Sequence, residues 1–302
     1  MAVRTVPNQF ATINAAITAS APGDTVRILA GTFNESITIP TGKDRLTIIG
    51  VAPRVTNINA AGGPAFTVNS PLVTIQNLTV QNAPTFSGIV LASVRSIIRN
   101  VEIRLCQRGI EIQNASEQNC IVDCNIHNNT AEGLLINGPL NLLYNNRLTD
   151  NGLDNIRINN TSSTNILVKN FFMNGRTGMM LFGSTNFIFD NFCNENNQDG
   201  MFIASFNNFV FNNNIKGNTL DGITIAVAGQ NRIIDNNIEN NGNAGVAPSS
   251  ENLIDDNDIE NNTIVGIFLN IGSDNNAVRR NDLNNTTNIV NNGANNVIDE
   301  ND

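Results

Sequence analysis

Two aspartates near the end of the chain stand at a spacing that could do chemistry. Asp258 and Asp282 each follow an asparagine at the same position of a unit that recurs every 20–24 residues. In a solenoid, equivalent positions of neighbouring turns lie about 4.8 Å apart, where two carboxylates repel each other unless water or a cation separates them. Asp258 and Asp282 are therefore a candidate calcium site. The alternatives are a solvated acidic end that discourages pairing at a strand edge, and the two acids of a glycosidase.

The other reactive side chains are few and scattered. The single histidine, His127, and the single tyrosine, Tyr144, come from neighbouring units but five positions apart, so we expect them on different faces and not as an acid–base pair. No two cysteines have the C-x-x-C spacing of a zinc site, which favours free thiols that are buried or half-buried. The four cysteines are Cys106, Cys120, Cys124 and Cys193.

The unit that positions these side chains is built around asparagine. Its template is N-x-φ-x-x-N-x-φ, a turn, and G-φ-x-φ, where φ is apolar. The first asparagine column reads Asn119, Asn141, Asn165, Asn186, Asn208, Asn231, Asn252, Asn276 and Asn296. Five residues later, the second column begins with the one exception, Cys124, and continues as Asn146, Asn170, Asn191, Asn213, Asn236, Asn257, Asn281 and Asn301. Self-similarity at this period indicates a solenoid whose second column forms a ladder of hydrogen-bonded asparagines along one edge.

The phase of the apolar residues predicts which side chains lie inside. Each unit has short alternating runs bounded by Asn and Gly, which is typical of strands and turns and leaves no room for a long helix. We predict that positions +2 and +7 after the first asparagine, and +1 and +3 after the glycine, form the core. At the corners we expect Gly and Asn because both tolerate a left-handed backbone. Three apolar runs per unit disfavour a leucine-rich-repeat horseshoe.

The first 63 residues depart from this template. Phe10, Ile13 and Ile17 fall on one face of a short helix, which we expect to cover the open edge of the first coil. The stretch FATINAAITASAPGDTVRILAGTFNESITI is similar to the opening of right-handed parallel β-helix proteins of the pectate-lyase-like superfamily. The later coils resemble the repeats of periplasmic copper-binding accessory proteins and of carbohydrate-active β-helices.

The resemblance implies an all-β chain that forms one right-handed parallel β-helix with about 22 residues per coil and a short N-terminal capping helix. Residues 1–302 would be a single domain, with the cap and irregular first coils in 1–63 and the regular coils in 64–302.

The same superfamily implies a list of catalytic motifs, and the sequence lacks them. The Gly-His-Gly of polygalacturonase-like enzymes and the Asp-Pro-His-Asp of alginate-epimerase-like enzymes are absent. Pectate-lyase-like enzymes place an arginine base and calcium-binding aspartates on the outside of one strand face. On that face Glu111 and Arg157 are separated by the coil that carries Leu135. An apolar row cannot abstract a proton, so the sequence indicates no catalytic residue.

In the middle of the chain the outward positions +1 and +3 are apolar, although further along they become mixed, as in Arg232 and Ile234. Burying each such side chain is worth roughly 1.5–3 kcal/mol, and a contiguous exposed patch usually marks an interface. We therefore predict an interface formed by Leu142, Tyr144, Ile166, Val168, Phe187, Phe189, Phe209 and Phe211, which Met180 and Phe202 enlarge on the adjoining face.

Composition bounds the partners and the compartment. A net charge of −9 without a run of Lys or Arg argues against nucleic acid as a partner, and the absence of a long apolar stretch argues against membrane insertion. The N-terminus lacks the apolar region of a signal peptide, so we expect synthesis in the cytoplasm; display on a spore or particle surface is compatible with this, and the final compartment is unknown. We expect no cofactor other than the candidate calcium ion, and no thiol-and-methionine copper site is visible.

These observations favour a non-catalytic, homo-oligomeric β-helix that serves as a structural or surface-display module. Its partner would be a copy of itself or another protein, with polysaccharide as a further candidate ligand. The alternative is a polysaccharide-active lyase, hydrolase or epimerase whose site the sequence does not locate.

Overall fold

The computed structural model describes residues 1–227 and 229–302. The chain divides into two compact units, Met1–Gly152 (unit 1) and Leu153–Asp302 (unit 2). Both units are parallel β-solenoids, with about 13 turns in total and about 23 residues per turn, so the predicted all-β solenoid is confirmed. The single-domain assignment stays a prediction. No helix in the described ranges has the length and apolar character needed to cross a membrane.

Unit 1 contains strands of two parallel sheets. The first-sheet strands are Val3–Val6, Thr25–Ile28, Gly31–Asn34, Thr47–Ile49, Thr56–Asn59, Thr74–Ala83, Ile97–Cys106, Cys120–Val122, Asn125–His127, Leu142–Tyr144 and Arg147–Thr149. The second-sheet strands are Ile37–Ile39, Phe66–Val68, Ile89–Leu91, Ile110–Ile112 and Leu134–Ile136. Pairing is already regular at the start, because Val3 pairs with Thr25 and Thr25 pairs with Thr47.

The predicted capping helix is present and spans Ile13–Ala19. The Thr12 hydroxyl accepts a hydrogen bond from the Ala15 N–H, and the Glu35 carboxylate accepts the N–H groups of Ile13 and Asn14 at 2.8 and 3.1 Å. These bonds satisfy the free N–H groups at the helix start. The helix buries Ile13, Ala16 and Ile17 and contacts the strands Val3–Val6, Thr25–Ile28 and Ile37–Ile39.

Unit 2 repeats the same arrangement. Its first-sheet strands are Ile166–Val168, Phe171–Met173, Phe187–Phe189, Phe192–Asn194, Phe209–Phe211, Asn214–Lys216, Arg232–Ile234, Asn237–Glu239, Leu253–Asp255, Asp258–Glu260, Ala277–Arg279, Asp282–Asn284 and Val297–Asp299. Its second-sheet strands are Ile156–Ile158, Met179–Leu181, Met201–Ile203, Ile223–Ile225, Ala244–Ala247, Val265–Leu269 and Ile289–Asn291. Each first-sheet turn thus has two strands, separated by a corner.

The predicted core columns are confirmed. The +2 side chains of unit 2 are fully buried up to the last turn, where Ile298 is exposed. The buried members are Leu167, Ile188, Val210, Ile233, Ile254 and Val278. Because alternate residues of a strand point to opposite faces, their neighbours at +1 and +3 point outward.

Asparagine ladders hold the corners. In unit 2 the first-column asparagines from Asn186 to Asn296 each accept the backbone N–H of their counterpart one turn earlier at 2.8–3.1 Å. The predicted second-column ladder is confirmed, because Asn170 through Asn301 make the same bond. A third ladder, offset by a further five residues except at its last member, Asn285, where the offset is four, was not predicted. It comprises Asn196, Asn218, Asn241, Asn262 and Asn285, with Asn129 and Asn151 as a shorter run in unit 1.

The expectation of a left-handed backbone at the corners is confirmed for asparagine, since Asn207, Asn240 and Asn275 have φ of 59°, 57° and 58°, but it was wrong for the repeated glycine. The residue before each ladder asparagine has the positive φ, as Thr185, Asn207 and Gln230 do at 57°, 59° and 62°. The glycine recurs because the backbones of adjacent turns approach each other closely at this position. A Cβ on Gly200 would lie 2.7 Å from the carbonyl oxygen of Gly222, nearer than real Cβ atoms come.

Candidate functional site

A group of phenylalanines covers the outside of the first sheet in unit 2. Phe187 pairs with Phe209, and Phe189 pairs with Phe211, in neighbouring parallel strands. The residues between them are fully buried, so all four rings point outward, as predicted. Phe187 is 44% exposed, whereas the other three are half-buried. The rings cover one another: Phe209 lies 5.8 Å from Phe211 in a stack and 6.5 Å from Phe187 edge-on, between ring centroids.

Two further rings extend this surface onto the second strand of each turn. Phe171 and Phe192 are parallel within 1°, with ring centroids 4.6 Å apart. Sequence reasoning missed them, although the same alternation carried the signal, because their neighbours Phe172 and Cys193 are fully buried. We call these six residues the phenylalanine face: Phe171, Phe187, Phe189, Phe192, Phe209 and Phe211.

The predicted interface residues of unit 2 lie on its two sheets, and the interface itself stays a prediction. Ile166 and Val168 continue the outward columns beside Phe187 and Phe189. Met180 and Phe202 pair with each other on the second sheet of unit 2, not on the phenylalanine face. Leu142 and Tyr144 lie in unit 1, on the strand Leu142–Tyr144, with Tyr144 exposed.

An open groove of about 920 Å³ runs along one margin of the phenylalanine face. Its floor is the outward +1 column, in which five strands pair in sequence across about 19 Å, from Phe187 to Ala277. Its wall is formed by the left-handed corner residues. The groove-lining residues are Phe187, Asn207, Asn208, Phe209, Gln230, Asn231, Arg232, Glu251, Asn252, Leu253, Asn275 and Ala277.

The groove combines aromatic and polar surface. Phe187 and Phe209 form one end, and Gln230, Arg232 and Glu251 follow along its length. Within the described residues, neither the Arg232 guanidinium nor the Glu251 carboxylate has a hydrogen bond or ion pair with another side chain. An aromatic floor beside unused hydrogen-bonding groups can hold an elongated ligand by stacking and by hydrogen bonds.

The candidate calcium residues are stacked as predicted. Asp258 pairs with Asp282, and Glu239 pairs with Glu260 beside them. Burial and then the charge of Asp282 raise the pKa of Asp258, as expected for like charges in adjacent turns. In the part of the chain that the structure describes, no three carboxylate, histidine or cysteine side chains converge to hold a metal ion. The calcium hypothesis stays a prediction.

His127 is not paired with Tyr144 but with a buried carboxylate that sequence reasoning missed. Glu102 Oε1 lies 2.7 Å from Arg54 Nη2 and 3.2 Å from His127 Nε2, and its Oε2 accepts a hydrogen bond from the Thr79 hydroxyl at 3.1 Å. Burial alone would raise the pKa of Glu102, but these three partners together lower it to about 2. The other ring nitrogen of His127 lies 2.6 Å from Asn128 Oδ1. Both carboxylate oxygens of Glu102 and both ring nitrogens of His127 thus have hydrogen-bonding partners within unit 1.

Several solved structures with a similar fold are named as enzymes that act on polysaccharides. The chain is 17% identical to the A-module of the mannuronan C-5 epimerase AlgE6 from Azotobacter vinelandii, covering 96% of this chain and 94% of that chain with a TM-score of 0.74. It is 16% identical to the catalytic domain of a GH87 α-1,3-glucanase, covering 98% and 65% with a TM-score of 0.75. An alginate lyase from Paenibacillus sp. str. FPU-7 is 13% identical, with 97% and 99% covered and a TM-score of 0.59. No curated protein sequence matches the chain.

The stacked turns and these likenesses define a right-handed parallel β-helix. A family model described as "Right handed beta helix region" matches residues 65–191. The model of the NosD family, described as "Periplasmic copper-binding protein (NosD)", matches residues 149–301. The chain belongs to the NosD family.

Proposed function

We propose that this chain is a non-catalytic β-helix that binds an extended polysaccharide in the groove of unit 2. The observation that carries the proposal is the groove itself, about 920 Å³ in volume and five strands long, with two phenylalanines and an unpaired arginine and glutamate along it. Polysaccharide is also the substrate class in the printed names of the structurally similar epimerase, glucanase and lyase.

The chemistry of the groove suits binding better than turnover. Glycoside hydrolysis uses two carboxyl groups that flank the scissile bond, and proton abstraction needs a positioned base. Glu251 is the one carboxylate among the lining residues, and His127 is held in unit 1 by Glu102 and Asn128. These features support a ligand that is held and released unchanged.

Affinity electrophoresis tests the proposal. The protein is run through gels that contain a panel of neutral and acidic polysaccharides, beside Phe209→Ala and Phe86→Ala, an exposed phenylalanine of unit 1 that does not line the groove. We expect at least one polysaccharide to retard the wild type and Phe86→Ala, but not Phe209→Ala. The same polysaccharides are then assayed for new reducing ends and unsaturated products. Retardation that Phe209→Ala leaves intact, or any product above a no-protein control, would contradict the proposal.

A second candidate function is self-association through the phenylalanine face. The specific observation is that six outward phenylalanines occupy neighbouring turns, where later turns of the same columns carry Arg232, Asn214 and Asn237. A second copy would exclude water from these rings, and a stable interface of this kind would bury upward of about 1,000 Å².

Light scattering coupled to size exclusion tests the second candidate. Phe189→Ser with Phe211→Ser should lower the assembly state without unfolding the chain, because both side chains point away from the core. A wild type that is monomeric at high concentration would rule self-association out.

Copper is not part of this proposal, because the residues present do not fit it. Burial raises the pKa of the Cys106 thiol to about 11 and of the Cys124 thiol to about 12, so the thiolate that would bind a metal is disfavoured. Both ring nitrogens of His127 already have partners. Cys193 is fully buried, and burial raises its pKa as well.

A further inference from the structure

We infer that the groove of unit 2 selects neutral polysaccharide over acidic polysaccharide. The inference rests on the proposed function and adds the chemical class of the ligand. It runs against the alginate named for the similar lyase.

The charges in the groove do not match a polyanion. Among the lining residues, Arg232 is the one cation and Glu251 the one anion, so their charges offset each other. A polyuronate carries a carboxylate on every sugar, and a groove about 19 Å long would place several of them against this single arginine. Uncompensated carboxylates next to Glu251 would repel, at a cost that low local dielectric increases.

The neighbouring arginines on the same sheet cannot supply the missing positive charge. Arg280 makes two hydrogen bonds to the Asp255 carboxylate, at 3.0 and 2.5 Å, and Arg279 lies 3.5 Å from the same group. Both are therefore engaged by Asp255. The chain as a whole carries a net charge of −9, so long-range electrostatics also repel a polyanion.

The remaining lining residues suit hydroxyl groups and the C–H faces of sugar rings. Asn207, Gln230 and Asn275 carry amides, each of which can both donate and accept a hydrogen bond, as a sugar hydroxyl requires. Phe187 and Phe209 offer apolar ring surface to which an uncharged sugar can bind without losing the hydration of a carboxylate.

Isothermal titration calorimetry with matched oligosaccharides tests the inference. Neutral α-1,3-linked and β-1,4-linked gluco-oligosaccharides are compared with oligomannuronates and oligogalacturonates of the same length, each at low and at physiological salt. We expect a neutral series to bind with little dependence on salt and the acidic series to bind at least about tenfold more weakly. Phe209→Ala should weaken neutral binding about tenfold, and Phe86→Ala should not change it.

Arg232→Gln separates the two ligand classes. For a neutral ligand the substitution exchanges one hydrogen-bonding group for another, so the affinity should fall by no more than about threefold. For a carboxylate ligand it removes the one cation, so the affinity should fall tenfold or more and the salt dependence should weaken. Acidic oligosaccharides that bind as tightly as neutral ones would overturn the inference while leaving the proposed function standing. Failure of every oligosaccharide to bind would instead remove the proposed function.

Discussion

Removing one ladder asparagine should cost far more stability than removing its neighbour. Asn213 is nearly fully buried, and its Oδ1 accepts hydrogen bonds from the N–H and the side-chain amide of Asn191 at 2.9 and 3.0 Å. Its amide donates to Ile188 O, Phe211 O and Asn236 Oδ1 at 3.0, 3.0 and 2.9 Å. Because an amide has two N–H groups, these three acceptors share two donors; Asn213→Ala removes four hydrogen bonds, one of them shared, and leaves the Asn191 N–H buried without its acceptor.

The expected loss follows from those bonds. At a net contribution of about 1 kcal/mol for each hydrogen bond, Asn213→Ala should reduce the free energy of unfolding by about 4–6 kcal/mol. Globular domains have total stabilities of about 5–15 kcal/mol, so the change is large enough to shift the urea midpoint clearly.

Asn214 provides the matched control one residue further along. The residue is half-buried, and its side-chain oxygen is buried without a hydrogen-bond partner among the described residues. Asn214→Ala removes no hydrogen bond of that oxygen, so it should not reduce the free energy of unfolding by more than about 0.5 kcal/mol. Urea unfolding followed by circular dichroism gives the change in unfolding free energy for both variants, provided that the dependence of this free energy on urea concentration is the same as in the wild type. Equal losses in the two variants, or a loss below about 1 kcal/mol for Asn213→Ala, would refute the ladder argument.

Three further predictions test other parts of the chain. Gly200→Ala should lower the urea midpoint strongly, because a Cβ would lie 2.7 Å from the Gly222 carbonyl oxygen; a variant as stable as the wild type would show that the turns can separate. Asp199 has its pKa raised by burial from 3.8 to about 6, so its charge destabilises the fold above pH 6. Asp199→Asn should stabilise by about 1–2 kcal/mol at pH 7.5 and by much less at pH 3.5, where the wild-type carboxyl is mostly protonated in both states; a gain that is equal at both pH values would exclude this cause. Asp258→Asn should raise the thermal midpoint without calcium, because it relieves repulsion from Asp282. If calcium raises the midpoint of the wild type and not of this variant, the calcium hypothesis holds instead.

The sequence predicted the solenoid well because its strongest signals are strictly periodic. Buried positions such as Ile188 and Val210 tolerate only apolar side chains, and the corner positions need a side chain that both donates and accepts, so both leave columns of one residue type. The third ladder followed the same rule with the same five-residue offset, as Asn196 and Asn218 do after Asn191 and Asn213. The template assigned this position to a turn, for which it predicted no ladder.

The sequence could not predict why the glycine recurs or that a groove forms, for physical reasons. A repeated glycine is compatible with a positive φ or with a close approach of backbones, and the sequence alone does not distinguish these two causes. The contact of Gly200 with Gly222 becomes visible only when adjacent turns are stacked. The groove depends on corner residues such as Gln230 and Glu251, whose left-handed backbone removes them from the simple alternation of a strand. The two-residue alternation of side chains in a strand does not predict where the side chains of these corner residues point. It therefore does not predict the wall that they form.

Cys124 shows that a ladder position is defined by the hydrogen bonds that its residue makes and not by the residue type. Its column position made it look like a break in the second ladder. In the structure its N–H donates to Asn146 Oδ1 at 3.0 Å, as a ladder asparagine does, and its thiol donates to the Val122 carbonyl oxygen, with the sulfur 3.3 Å away. Asn213 makes the equivalent bond to Phe211 O with its amide, two residues back. Burial raises the pKa of the Cys124 thiol to about 12, so the group keeps its proton and remains a donor at neutral pH. A thiol is a weaker donor than an amide, but it can occupy the same buried corner without leaving a charge. The exception in the column therefore obeys the physical rule that produced the column.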